Sequence, residues 1–93
     1  MIASFRDRAT EEFWNEGRSP KIGANIAKVA RRKLVQLAVA KDLRDLKQPP
    51  NNHLEALRGG REGQHSIRVN DQFRICFEWR EGAAYNVEIV DYH

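Results

Sequence analysis

Apolar and polar residues alternate through the last third of the chain, with the period of two that is typical of β-strands. The alternation runs through 66–69, 73–80 and 86–89. Turn-forming residues separate these segments near 70–72 and 81–83. The pattern predicts three antiparallel strands joined as a meander, with one face of the sheet covered.

Apolar residues in the first half recur instead at helical spacing. Ser19 offers an N-cap and Pro20 a first helical position, so the spacing predicts a main helix over about 20–40. A shorter helix is expected over 11–14, with Thr10 as its cap. These elements indicate that helices cover the apolar face of the sheet.

The remaining segments are less regular. Residues 2–5 can form a short first strand, and residues 42–46 a further helical turn that Pro49 stops. The long connection over 48–64 is expected to be a loop. We therefore predict an α+β fold, in which an N-terminal strand and two to three helices pack on an antiparallel sheet.

The register of the strands follows from matching their apolar faces. Pairing Ile67 with Ile75 sets Arg68 directly opposite Arg74. Two arginines facing each other repel, and a phosphate between them would relieve that repulsion. Neutralisation by nearby acidic residues is the alternative, with three carboxylates available: Glu78, Glu88 and Asp71.

The same rule extends to the last strand. It pairs Trp79 with Tyr85 and carries Tyr92 onto the face of the two arginines. Asp91 and His93 point to the other face if the strand stays regular to its end. A phenol beside arginines can stack on a base or exchange protons.

Composition and charge narrow the class of protein. The 93 residues are 41% hydrophobic, which suits one ordered domain over 1–93. No apolar stretch is long enough for a signal peptide or a membrane span, and the single cysteine, Cys76, permits no internal disulfide. We expect a cytoplasmic protein in which Cys76 has a structural role.

Positive charge is concentrated early in the chain. Residues 1–47 hold eleven Lys/Arg against six Asp/Glu, whereas residues 48–93 hold five against seven. The excess comes from a cluster of six basic residues: Arg18, Lys21, Lys28, Arg31, Arg32 and Lys33. Such a cluster suits a polyanion such as nucleic acid, although a solvated helix face explains it equally well.

Histidine, tyrosine and aspartate supply candidate proton-transfer groups. His53 lies in the loop before the sheet, and Asp91, Tyr92 and His93 follow the last strand. Imidazole exchanges protons near neutral pH, as cleavage of RNA without a metal requires. The alternatives are an exposed or capping His53, and a metal site of two histidines and one carboxylate. No HxxxH or HxH spacing favours that site, so neither metal nor cofactor is expected.

Four segments, 54–59, 66–70, 74–77 and 87–93, together resemble the HigB branch of the RelE/ParE toxin superfamily. The resemblance implies a RelE-like fold and a toxin that cleaves messenger RNA in the ribosomal A site. It also implies silencing by a HigA-type antitoxin, which usually binds DNA through a helix-turn-helix.

The resemblance also implies roles for individual residues. The catalytic function would fall on a set of four: His53, Asp91, Tyr92 and His93. Arg68 and Arg74 would contact phosphate. Unlike RelE proteins proper, the chain has no lysine after Lys47 to serve the cleft. A ParE-like toxin that blocks DNA gyrase without catalysis, and a plain RNA- or ribosome-binding module, remain the alternatives.

Overall fold

The computed structural model describes residues 1–92 and has the α+β architecture that the sequence predicts. The two helices are α1, Arg8–Glu16, and α2, Ala24–Val39. The four strands are β1, Glu55–Ala56; β2, Gln64–Arg68; β3, Phe73–Arg80; and β4, Ala83–Asp91. Short 3-10 turns lie at Leu43–Lys47, Pro50–Asn52 and Gly59–Arg61. The strands form one antiparallel sheet in the order β1-β2-β3-β4.

Helix α1 is longer than the sequence predicts, and its cap is different. Asp7 is the N-cap, and its Oδ1 accepts a hydrogen bond from the backbone N–H of Thr10 at 3.2 Å. The prediction that Thr10 caps this helix is wrong, because the Thr10 side chain is buried and points to the sheet. Its Oγ1 accepts from the backbone N–H of Ile89 in β4 at 3.1 Å. Thr10 therefore joins the helix to the sheet.

Helix α2 begins later than the predicted position 20. The residues before it form a tight turn, in which the N–H of Ile22 donates to the carbonyl of Ser19 at 3.0 Å. Gly23 then serves as an N-cap with extended backbone and no side-chain hydrogen bond. The backbone groups near Ser19 are satisfied within the turn, so Pro20 belongs to that turn and not to the helix.

The N-terminal segment is not a regular strand, contrary to prediction. It runs parallel to β4 and meets it at two isolated bridges, Ile2 with Ala84 and Phe5 with Val87. Between the bridges the backbone N–H of Asn86 donates to the Ser4 hydroxyl at 2.8 Å, and not to a carbonyl of the segment. This side-chain bond interrupts the ladder.

The register of β2 with β3 is as predicted, and that of β3 with β4 is only partly so. Ile67 pairs with Ile75, and Arg68 lies opposite Arg74. The predicted pairing of Trp79 with Tyr85 is wrong, because Trp79 pairs with Ala84. A bulge in β4 shifts the register there.

The bulge places two residues of β4, Asn86 and Val87, against Phe77 of β3. Asn86 has a φ of 53°, in the left-handed region that asparagine tolerates. The extra residue keeps Ala84 and Val87 buried on the core face, and it turns the half-buried Tyr85 to the other face. Without the bulge, Tyr85 would pair with Trp79 and its side chain would lie on the core face.

The core lies between the helices and one face of the sheet. Phe13, Leu34 and Leu37 of the helices pack in one cluster with Ile75 and Phe77 of β3. Trp14 and Trp79 are partly buried at its margin. In the described part of the chain, no helix has the length and apolar character needed to cross a membrane.

Replacing Thr10 with valine should destabilise the fold, because the buried N–H of Ile89 would lose its acceptor. An unsatisfied buried donor costs about 1–3 kcal/mol, which corresponds to a fall of about 5–20 °C in melting temperature for a domain of this size. Thr10→Ser keeps the hydroxyl and is the matched control. Thermal unfolding followed by circular dichroism measures both variants, and a Thr10→Val melting temperature equal to that of the wild type would contradict the assigned role.

Candidate active site

The candidate site is the face of the sheet that turns away from Ile67 and Ile75. Six of the side chains that alternation along the strands places there form what we call the polar face: Ser66, Arg68, Arg74, Cys76, Glu88 and Tyr92. The prediction that Tyr92 shares a face with the two arginines agrees with this geometry. Ser66 and Cys76 are buried at its centre, whereas Tyr92 is 46% exposed at its edge.

Arg74 is held in place by neutral oxygen atoms. Its Nε donates to the Ser66 hydroxyl at 2.7 Å, and its Nη2 donates to the backbone carbonyl of His53 at 2.5 Å. Glu55 is the nearby carboxylate, with its Oε1 3.7 Å from Nη1. Because a guanidinium carries five N–H donors, donors of Nη1 remain available for a ligand.

Arg68 faces Arg74 across the strands, and its charge is met by a carboxylate of the adjoining turn. Its Nη2 forms an ion pair with Asp71, whose side chain is 97% exposed. Of the three predicted neutralising residues, only Asp71 contacts Arg68. Glu78 accepts a hydrogen bond from Asn86, and Glu88 pairs with Arg6 and Arg61.

Tyr92 and Cys76 contact each other on the polar face, with 3.8 Å between the phenolic oxygen and Sγ. Desolvation raises the pKa of Tyr92, and the contact with Cys76 acts in the same direction. The phenol is therefore protonated at neutral pH. Burial likewise raises the pKa of the Cys76 thiol. A protonated, buried thiol is inert, which agrees with the structural role predicted for it.

His53 lies beside Arg74 at the end of a 3-10 turn. Its backbone is left-handed, with a φ of 45°, and its N–H donates to the carbonyl of Pro50 at 3.1 Å. The side chain is exposed. The structure thus brings four of the predicted site residues together: Arg68, Arg74 and Tyr92 share the polar face, and His53 contacts Arg74 through its backbone.

Asp91 lies on the other face of β4, as alternation predicts, and its side chain is directed away from Arg74. It pairs with Phe73, and its Oδ2 accepts a hydrogen bond from Gln72 Nε2 at 2.9 Å. The backbone N–H of Tyr92 donates to the carbonyl of the same Gln72 at 2.7 Å. These two bonds fix the end of β4. His93 lies outside the described residues.

Arg61 is a further cation of the site that the sequence argument did not identify. Its Nη2 lies 3.0 Å from Oε1 of Glu88, and its Nη1 donates to Gln64 Oε1 at 3.1 Å. Its charge acts on the phenol of Tyr92, as does that of Arg74. Glu88 is nearly buried and also pairs with Arg6 at 3.1 Å. The only sequence signal was an arginine after two loop glycines, too common a pattern to be distinctive.

The polar face carries the groups needed to bind an anion and transfer protons. No three His, Cys, Asp or Glu side chains within 1–92 are grouped as metal ligands. The metal-free character of the site stays a prediction, since His93 belongs to the set that was considered. Arginines flanking a phenol and a histidine suit a phosphodiester as ligand.

Comparison with known proteins identifies relatives along the whole chain. A family model described as a RelE-like toxin of the type II toxin–antitoxin system HigB matches residues 3–93. The chain is 38% identical to "Toxin HigB-1" of Vibrio cholerae over 87 residues, which are 92% of each chain. It is 29% identical to "Endoribonuclease HigB" of Proteus vulgaris over 93 residues, the full length of both. An uncharacterized protein of Haemophilus influenzae is 36% identical over 84 residues, covering 89% of this chain and 83% of its own.

The single cysteine should resist modification in the folded protein. Cys76 is fully buried, and its raised pKa keeps the thiolate scarce at pH 7–8. We expect a disulfide reagent to label the native protein far more slowly than the protein unfolded in urea. The absorbance of the released thiolate measures both rates, and equal rates would contradict the burial of Cys76.

Proposed function

The chain belongs to the HigB-like family, the RelE-like toxins of type II toxin–antitoxin systems, and from this we propose that it is a ribosome-dependent endoribonuclease. The substrate would be messenger RNA in the ribosomal A site, and its cleavage would inhibit translation. Support comes from the polar face and from the Proteus vulgaris relative named "Endoribonuclease HigB". As the name toxin–antitoxin implies, an antitoxin is the partner of the family.

The clamp on Arg74 is the observation that carries the proposal. Ser66 and His53 orient its guanidinium through neutral oxygens, and the Glu55 carboxylate stays 3.7 Å from Nη1, so the positive charge is fixed in direction and only partly compensated. An oriented cation of this kind stabilises the negative charge that develops on phosphorus oxygens during cleavage. Arg68 would assist once phosphate replaces the exposed Asp71.

The reaction we propose is attack by the ribose 2′-hydroxyl on the adjacent phosphate. The imidazole of His53 would accept the 2′-hydroxyl proton as the bond from O2′ to phosphorus forms. The bond from phosphorus to O5′ then breaks. The products are a 2′,3′-cyclic phosphate and a 5′-hydroxyl end. The exposed side chain of His53, a residue whose backbone carbonyl binds Arg74, suits this role as base.

The departing O5′ needs a proton, and Tyr92 or His93 would supply it. The raised pKa of Tyr92 keeps its phenol protonated, which a general acid requires. His93 follows Tyr92 directly in sequence and is the second proton donor in the scheme. Asp91 would act by positioning, because with Gln72 it fixes the end of β4 that carries Tyr92.

The partners would be a HigA-type antitoxin and the ribosome. The basic residues of α2 give the protein a positively charged side suited to ribosomal RNA. Lys28, Arg31 and Arg32 are exposed there, with the guanidinium of Arg31 placed 5.7 Å from the ring centroid of Trp14. Long-range attraction to RNA would then raise the rate of association.

Tyr92→Phe should lower the rate of message cleavage by about 10²–10⁴-fold, because it removes the proton of the phenol but keeps the ring. The matched control is Tyr85→Phe, since Tyr85 stacks against Arg80 outside the site. Mapping of 5′ ends in a translating extract, with purified protein added, measures both. Full activity of Tyr92→Phe would assign the ring to stacking on a base, and not to proton transfer.

Removing His93 should also abolish most cleavage while leaving the fold and antitoxin binding intact, because the core cluster is built by residues of the helices and the sheet. Circular dichroism and co-purification with the antitoxin provide the controls. A gyrase supercoiling assay runs in parallel. If the wild-type protein inhibits supercoiling and produces no new RNA ends, the nuclease proposal is wrong and the ParE-like alternative is correct. Tight ribosome binding without cleavage would instead indicate a binding module.

A further inference from the structure

Lys33 is a buried lysine in the middle of α2. Only 2% of its surface is exposed, and its neighbours on this face of the helix are apolar: Ile26, Ala30, Leu34 and Leu37. Its Nζ donates to Asn52 Oδ1 at 2.5 Å and to Asn51 Oδ1 at 3.3 Å. Both of these partners are amides, and no ion pair between Lys33 and a carboxylate occurs in residues 1–92.

Such a residue is costly for the fold. Transferring an ammonium group from water into the interior is unfavourable, and neutral amide oxygens recover less energy than a carboxylate does. Desolvation, with Arg32 and Arg68 nearby, lowers the pKa of Lys33, which is the expected effect of burial. An apolar side chain would fill the same space at lower cost. A residue that costs stability where an apolar one would not is characteristic of functional sites.

The amides that Lys33 binds control the segment that carries His53. Asn52 is fully buried, and its Nδ2 lies within hydrogen-bond distance of Gln36 Oε1 and of the carbonyls of Leu46 and Gln48. Asn52 thereby joins α2 to the 3-10 turn Leu43–Lys47. His53 comes directly after Asn52, and its backbone carbonyl accepts a hydrogen bond from Arg74.

We propose that Lys33 is a positioning residue for the cleavage site, acting through Asn51 and Asn52 to set His53 and its contact with Arg74. The path is continuous: the ammonium group of α2, the amides of the turn, the His53 backbone and the guanidinium of β3. The inference rests on the proposed nuclease function. It assigns a role to the one member of the basic cluster that is buried, and therefore unavailable to bind RNA directly.

The cleavage test compares Lys33→Met, which keeps the length of the side chain but removes its donors, with Lys41→Met at an exposed position just after the same helix. We expect Lys33→Met to lower kcat by about 10–100-fold, because small misplacements of catalytic groups have effects of this size. KM for messenger RNA should change less than about threefold, since RNA-contacting groups are retained. Lys41→Met should leave kcat unchanged, and Lys33→Arg, which restores donors, should recover part of it.

A double-mutant cycle separates positioning from general destabilisation. Since His53→Ala keeps the backbone carbonyl that binds Arg74, adding Lys33→Met to it should cause a smaller loss of cleavage than Lys33→Met causes in the wild type. An equal loss in both backgrounds, or wild-type kcat in Lys33→Met, would overturn the inference. Should Lys33→Met fail to fold, Asn51→Ala is the substitute, because it removes one acceptor of the ammonium group at an exposed position.

A measurement independent of cleavage tests the physical link itself. The Arg74 Nε–H and the His53 amide proton can be followed by NMR in the free toxin. Lys33→Met should shift both signals and speed their exchange with solvent, whereas Lys41→Met should not. Unchanged signals would overturn the positioning role even in an active enzyme. Shifted signals in a protein that cleaves no RNA would instead place the failure in the proposed nuclease function.

Discussion

The contact between Arg74 and two neutral oxygens is the interaction on which the site depends. Arg74 belongs to β3, the Ser66 hydroxyl to β2, and the His53 carbonyl to the loop that precedes the sheet. One guanidinium therefore fixes three segments that are distant in sequence. Because neither acceptor is charged, the contact orients Arg74 and leaves its positive charge available to an anion. A carboxylate in either position would have cancelled that charge.

The register of the sheet was predictable because it depends on a rule that acts along the whole strand. A slip of one residue would expose Ile67 and Ile75, so the apolar pattern alone places Arg68 opposite Arg74. The pairing of Trp79 was not predictable in this way. The bulge at Asn86 is stabilised by hydrogen bonds to the Ser4 hydroxyl and to the Glu78 carboxylate. Both partners belong to other segments of the chain, so the alternation within β4 does not reveal them.

The candidate site was predictable to a similar extent. Alternation along β4 was enough to place Tyr92 with the arginines and Asp91 on the opposite face. The position of Arg61 was not, because it depends on an ion pair with Glu88 and not on strand geometry. The predicted start of α1 was wrong for a related reason. Asp7 and Thr10 are both acceptable caps in sequence, and only the acceptor needed by Ile89 decides between them.

Lys33 and Arg74 share one physical device, a cation held by uncharged oxygens. The Nζ of Lys33 binds two asparagine amides, and Arg74 binds a hydroxyl and a carbonyl. Closer ion pairs would hold both residues more strongly, but they would also reduce the positive potential beside His53. Glu55, the carboxylate beside Arg74, stays 3.7 Å from its Nη1. Arg68 differs because its carboxylate partner, Asp71, is exposed. In the proposed reaction, Arg74 would therefore orient the RNA backbone, Lys33 would act only through the turn that carries His53, and Arg68 would bind phosphate in place of Asp71.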